Sequence, residues 1–281
     1  MTTTYDTINP THAHSLATPV RTATPVRTAT IRRTLKAEWT KLHTLASTWR
    51  TVVMAVTISI GLGAILCVSQ VQQWGAMTAQ QRATFDPTSC SLFGVMIAAV
   101  LFGALAVRSV TAEYASGMIR STFTAMPARR LVLASKAATI AVFAFPAALV
   151  SNLVAFEIGQ RIFTSKHLQV TLGHPGVLGA IVFGAVAVSL VAVIGVGLGG
   201  IIRHTAGATT TMAVVIVGGV TLGQLLPTAL RGYLPGTAIQ AAVTVHRSPG
   251  ILAPGTAIVV LGIYAAITLA AASMRAAHGD A

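Results

Sequence analysis

The stretch Glu113-Tyr114-Ala-Ser-Gly117-Met-Ile-Arg120 holds an acid, a phenol, a glycine and a base in close sequence, in a chain with only six acidic residues. One carboxylate without a second acid or a nucleophile beside it is poorly equipped for acid–base chemistry. An anchored aromatic ring between opposite charges on a short element is better equipped to dock on another surface. Thr111 is placed to cap a short helix carrying Glu113, Tyr114, Gly117 and Arg120, and Pro127 to stop a helix before the next apolar stretch. The plainer reading of the same residues is a solvated connector whose arginines only bias charge.

Other chemistry is missing. No G-x-x-x-x-G-K-[ST] phosphate loop, H-E-x-x-H or G-x-S-x-G occurs, so the chain is expected to be no enzyme, with no catalytic residue and no cofactor. No metal site is expected either: Cys67 and Cys90 lack ligand spacing, and His12 and His14 are incidental residues of a loose tail. The two cysteines read as thiols near the outer ends of their helices, with a disulfide as the alternative. No ionisable residue falls at the middle of an apolar stretch, and Glu157 lies at an end, which disfavours an ion-coupled carrier. Any energy source should therefore sit on another protein.

The elements that position these residues follow from composition. Of 281 residues 54% are hydrophobic and only 9% charged, too few charges to coat a water-facing surface. The expected fold class is all-α, a polytopic membrane protein with six transmembrane helices. Six uncharged stretches, at about 51–69, 90–108, 137–156, 177–201, 206–226 and 252–273, are each long enough to cross roughly 30 Å of hydrocarbon. They make one membrane domain, 50–275, followed by a short tail, 276–281. Pro146 should kink the third span, and Gly195, Gly197, Gly199 and Gly200 should let the fourth approach its neighbours closely.

Residues 1–30 are polar, with Thr-Pro-Val-Arg-Thr-Ala repeated in tandem, and read as a disordered tail rather than a signal peptide. In 31–49, Ile31, Leu35, Trp39, Leu42, Leu45 and Trp49 recur at helical spacing among Arg32, Arg33, Lys36, Lys41 and His43. This is the pattern of a basic amphipathic helix lying in a membrane interface, with packing on a soluble partner as the alternative. The net charge of +13 serves orientation, since no aromatic platform for nucleic acid accompanies it. With the N-terminus inside, fourteen Lys and Arg face the cytoplasm and five (Arg82, Arg161, Lys166, Arg231 and Arg247) face out. Both termini are thus expected in the cytoplasm of a bacterial plasma-membrane protein.

Three segments resemble the permeases of the type 2 ABC exporter family, in the form found in actinobacteria. They are Leu35-Lys-Ala-Glu-Trp-Thr-Lys-Leu42 with Ser47-Thr-Trp49; Glu113-Tyr114-x-x-Gly117-Met-Ile-Arg120 with Pro127 and Lys136; and Tyr233-Leu234-Pro235-Gly-Thr-Ala238. With the six-span layout the likeness covers about 31–275; His43 departs from it, standing where Arg is frequent. The resemblance implies a pathway-forming exporter subunit that pairs with a second copy or a paralogue and with separate ATP-binding subunits. It makes Glu113, Tyr114, Gly117 and Arg120 the contact with the ATPase. It makes the loop around Tyr233, Leu234, Pro235 and Ala238 a set of short helices dipping into the membrane from outside. The run Ala238-Ile-Gln-Ala-Ala-Val243 is too short to span, which agrees. A membrane-embedded structural or regulatory protein without transport is the alternative.

Overall fold

The computed structural model describes residues 27–117, 129–246 and 251–278. The N-terminal tail before Arg27, Arg120, Pro127 and the last three residues lie outside them. Among the described residues every regular element is helical: α1 (Arg27–Thr44), α2 (Ala46–Gln73), α3 (Ala79–Ala83), α4 (Pro87–Ser91), α5 (Val95–Ala115), α6 (Arg129–Phe163), α7 (Val177–Ile202), α8 (Thr205–Gly223), α9 (Thr228–Arg231), α10 (Pro235–Ala242) and α11 (Pro254–His278). Six of them, α2, α5, α6, α7, α8 and α11, are long and apolar enough to cross a bilayer. The protein is a multi-pass membrane protein.

Local chemistry sets the short elements. Thr78 and Gln81 form a reciprocal capping box that starts α3. Asp86 caps α4, its Oδ1 accepting from the N–H groups of Thr88 and Ser89, with Pro87 fixing the first helical φ. Between α7 and α8 stand only Arg203 and His204. Arg203 takes a left-handed conformation at φ 59 and donates its N–H to Gly199, and His204 accepts from the N–H of Gly207. α8 contains a π-helical stretch, Val214–Gly218. α6 stays helical on both sides of Pro146, whose ring is exposed where the missing N–H costs a bond to the preceding turn.

α7 is the hub, packed against α5, α6 and α11. Its glycines make that possible, as the sequence pattern suggests. A Cβ on Gly195 would lie 2.5 Å from the carbonyl oxygen of Gly103 on α5, and one on Gly197 would meet Thr268 of α11 at 2.6 Å. Close backbone approach replaces the hydrophobic driving force that lipid does not supply.

The chain departs from the sequence expectations at two helix ends. The second span does not end at Arg108 and give way to a capped helix at Thr111. α5 runs on to Ala115, with the Thr111 hydroxyl bonded back to the Val107 carbonyl, and Gly117 in the left-handed region at φ 69 lies just past its end. The lead-in helix ends at Thr44 rather than at Trp49. Leu45 is extended, so Ser47 and Trp49 begin the first span.

Candidate functional site

One end of the bundle gathers α1, the start of α2, the end of α5, the start of α6, the α7–α8 turn and the end of α11. Its centre is ionic. Lys136 Nζ donates to Glu38 Oε2 at 2.6 Å and to Glu113 Oε1 at 3.0 Å. Lys41 Nζ donates to Glu113 Oε1 at 2.9 Å and to Glu38 Oε1 at 3.1 Å. Lys136 is 3% exposed and both carboxylates are buried, whereas Lys41 reaches toward the surface. Two cations facing two anions leave the cluster neutral, which is what makes four ionised groups tolerable away from water. Burial pulls the Lys41 pKa down, but the Glu113 hydrogen bond and the charge of Glu38 outweigh it and hold the ammonium above its ordinary value.

The cluster joins three elements: Glu38 and Lys41 come from α1, Glu113 from α5 and Lys136 from α6. Around it, Thr111 and Thr205 share a 2.7 Å hydroxyl contact between α5 and α8. Arg203 stacks over the Tyr114 ring at 5.0 Å and donates to the Arg275 carbonyl at 3.3 Å. At the corner between α1 and α2, His43 packs between Trp39 and Trp49, and all three rings meet Phe143 of α6. Trp49 Nε1 closes the corner on the His43 carbonyl.

The structure therefore distributes the residues singled out in sequence unevenly. Glu113 is turned inward into the ion pairs, and Tyr114 is half-buried beneath Arg203. Gly117 is exposed at the helix end, and Arg120 lies outside the described residues. Trp39 on α1 and Leu45 just after it are exposed, and the buried positions of α1 include Glu38 and Leu42. Helical spacing of apolar residues thus missed Glu38, the acid that anchors the helix. Its signal was available in sequence as the one acid within the basic segment 31–49.

At the far end, Asp86 does double service. Besides capping α4, its Oδ2 accepts from the N–H groups of Val245 and His246 and ties the segment after α10 to the start of α4. Gln160 of α6 bonds both Ser91 and the Val170 N–H. Pro235 and Ala238 are buried in α10, which packs against α11, α7 and α8, while Tyr233 is exposed and Leu234 intermediate. Cys67 and Cys90 are free thiols with sulfurs 3.9 Å apart.

Each end holds a cavity. That at the far end, about 560 Å³, is lined by Asp86, Cys90, Met96, Gln240 and His246 among others. That at the ionic end, about 480 Å³, runs from Leu42, Leu105 and Ile140 to Glu113 and Lys136, with Arg108 also on its wall. Among the described residues no group of three His, Cys, Asp or Glu side chains could hold a metal ion.

Comparison of the chain with protein-family models, with curated proteins and with solved structures finds no match.

Proposed function

We propose that this chain is the membrane subunit of an ATP-driven exporter, forming the pathway with a second permease and drawing energy from a separate ATP-binding subunit. The observation that carries the reading is the ion-pair cluster of Glu38, Lys41, Glu113 and Lys136. The connection between α5 and α6 leaves one clamped residue, Glu113, and returns to another, Lys136. Both are held by α1. A force applied to that connection would pass through short, buried, charge-assisted bonds to two spans and the lead-in helix together. In this reading Glu113 is a positioning residue, and Tyr114, Gly117 and Arg120 are nearer to the docking surface.

The orientation belongs to the same proposal. Lys36, Lys41, Arg50, Arg108, Arg130, Lys136, Arg203 and Arg275 belong to the ionic end, against Arg82, Arg161, Lys166 and Arg231 at the other, which supports a cytoplasmic ionic end. The buried α10 supports a short helix dipping in from outside, and the absence of a phosphate loop from the sequence supports a separate motor.

The test is co-expression with the product of an adjacent reading frame that carries a phosphate-binding loop. The purified chain should bind no ATP alone and should copurify with that product in an active complex. Arg120→Ala should weaken the complex, and Glu113→Gln should leave binding intact while uncoupling ATP hydrolysis from transport. A neighbouring ATPase that neither copurifies nor responds to these changes would remove the proposal.

A further inference from the structure

The cavity at the far end, about 560 Å³, has the size of a site for a drug-sized molecule, about 300–1,000 Å³. Val95 and Met96 at the start of α5, with Ile239 and Val243 at α10, give it a buried apolar floor. Its walls are polar but carry little charge. Gln70 on α2 and Gln240 on α10 are half-buried in the lining, and neither side-chain amide has a hydrogen-bond partner among the described residues. Each amide offers two N–H donors and a carbonyl acceptor. No Lys or Arg is among the described lining residues. Among those residues Asp86 brings the one carboxylate, and its two oxygens already accept from the N–H groups of Thr88, Ser89, Val245 and His246.

Charge and hydrogen bonding together define the occupant. An anion would find no Lys or Arg on these walls and would meet the Asp86 charge. A cation would find the Asp86 carboxylate already engaged by four N–H groups. Either ion would give up part of its hydration without a partner, whereas an uncharged polar group is met by the two free amides. We propose that this cavity binds an uncharged amphiphile. Its donor and acceptor groups, of amide or hydroxyl type, bond to the Gln70 and Gln240 amides, and its apolar body covers Met96, Ile239 and Val243. The flexible thioether of Met96 adapts to bodies of varied shape. A phospholipid is a poor occupant, since its phosphate calls for a cation. The inference does not depend on transport or on an ATPase.

Cys90 lines the same cavity and can report its occupancy, whereas Cys67 is fully buried. The experiment follows alkylation of Cys90 by iodoacetamide, read by peptide mass spectrometry, in the reduced full chain held in phosphatidylcholine nanodiscs. Three probes of one chain length are added at about pH 8: decanamide, decanoate and decylammonium, the last two ionised. Decanamide should slow alkylation roughly tenfold or more and reach a plateau, while either ion at equal concentration leaves the rate within about twofold. The double variant Gln70→Leu with Gln240→Leu should raise the decanamide concentration for half-protection about fivefold, the loss of a hydrogen bond. Met96→Trp provides an independent check, filling the apolar floor without touching an amide and abolishing protection while Cys90 stays reactive. No protection by decanamide, or equal protection by all three probes, would overturn the proposal. So would protection that survives both the double variant and Met96→Trp unchanged, because the probe would then be acting from outside the cavity.

Discussion

Lys136 Nζ sits 2.6 Å from Glu38 Oε2, a bond that ties the third span to a helix ahead of the first, across 98 residues of sequence. With Lys136 only 3% exposed, neither partner can fall back on water if the other is lost. Lys136→Met should therefore cost about 3–5 kcal/mol, the penalty of stranding a buried charge, and Glu38→Gln about 1–3 kcal/mol. Thermal unfolding in detergent reads both. The double variant Glu38→Gln with Lys136→Met should lose less than the sum, and strict additivity would show that the two side chains do not interact.

The same cluster predicts a pH response through Lys41. Its pKa in the folded protein is raised above the ordinary 10.5, so the folded state holds the proton more tightly than the unfolded chain. The contribution is fully present below 10.5 and is lost as pH climbs through the folded value. Stability of the unaltered chain should thus fall relative to Lys41→Gln only on the alkaline side. A difference between the two that disappeared at acid pH instead would contradict the assigned sign.

Close approach of α7 to its neighbours gives a packing test. Gly195→Ala would drive a methyl against the Gly103 carbonyl oxygen, a backbone atom that cannot rotate away, at a cost of about 1–3 kcal/mol. Gly262→Ala on α11 meets nothing within 4 Å and should leave the melting temperature unchanged. Equal effects at the two positions would mean that α5 and α7 do not meet as described.

Cys67 and Cys90 offer a distance check on the far end. Their sulfurs are 3.9 Å apart and need little movement to bond. A mild oxidant should join them in near-full yield, seen as a loss of both free thiols that Cys90→Ser prevents. Free thiols persisting under oxidant would place α4 away from α2.

Orientation can be read with single cysteines on a background lacking Cys67 and Cys90. In intact cells, an impermeant maleimide should label Arg82→Cys and leave Ala115→Cys unlabelled until the membrane is opened. The reverse pattern would invert the proposed topology.

Much of this architecture is legible in the residues, for a physical reason. Charges are expelled from hydrocarbon, so their gaps trace the six spans, and the glycines of α7 mark its contacts before any coordinates do. The ionic cluster is less legible. Glu38 and Lys41 are one turn apart on α1, but Glu113 and Lys136 lie far along the chain from them and each looks like an ordinary loop or interface charge; only the folded arrangement shows that the four neutralise one another. The end of α5 was obscured for a local reason. Thr111 suits a cap by type, but its hydroxyl finds the Val107 carbonyl one turn back, and the stop signal is Gly117. Glu113, which the sequence offered as a docking contact, is instead occupied inward.

The turn of only Arg203 and His204 between α7 and α8 has a bearing on biosynthesis. With so little slack between them, the fourth and fifth spans are expected to enter the bilayer together, as one hairpin. The weaker hydropathy of α8, 1.6 against 2.8 for α7, is then no handicap, because its partner carries it in. Lengthening that turn with a flexible insert would oblige α8 to enter on its own merits, and it is the span whose integration should suffer.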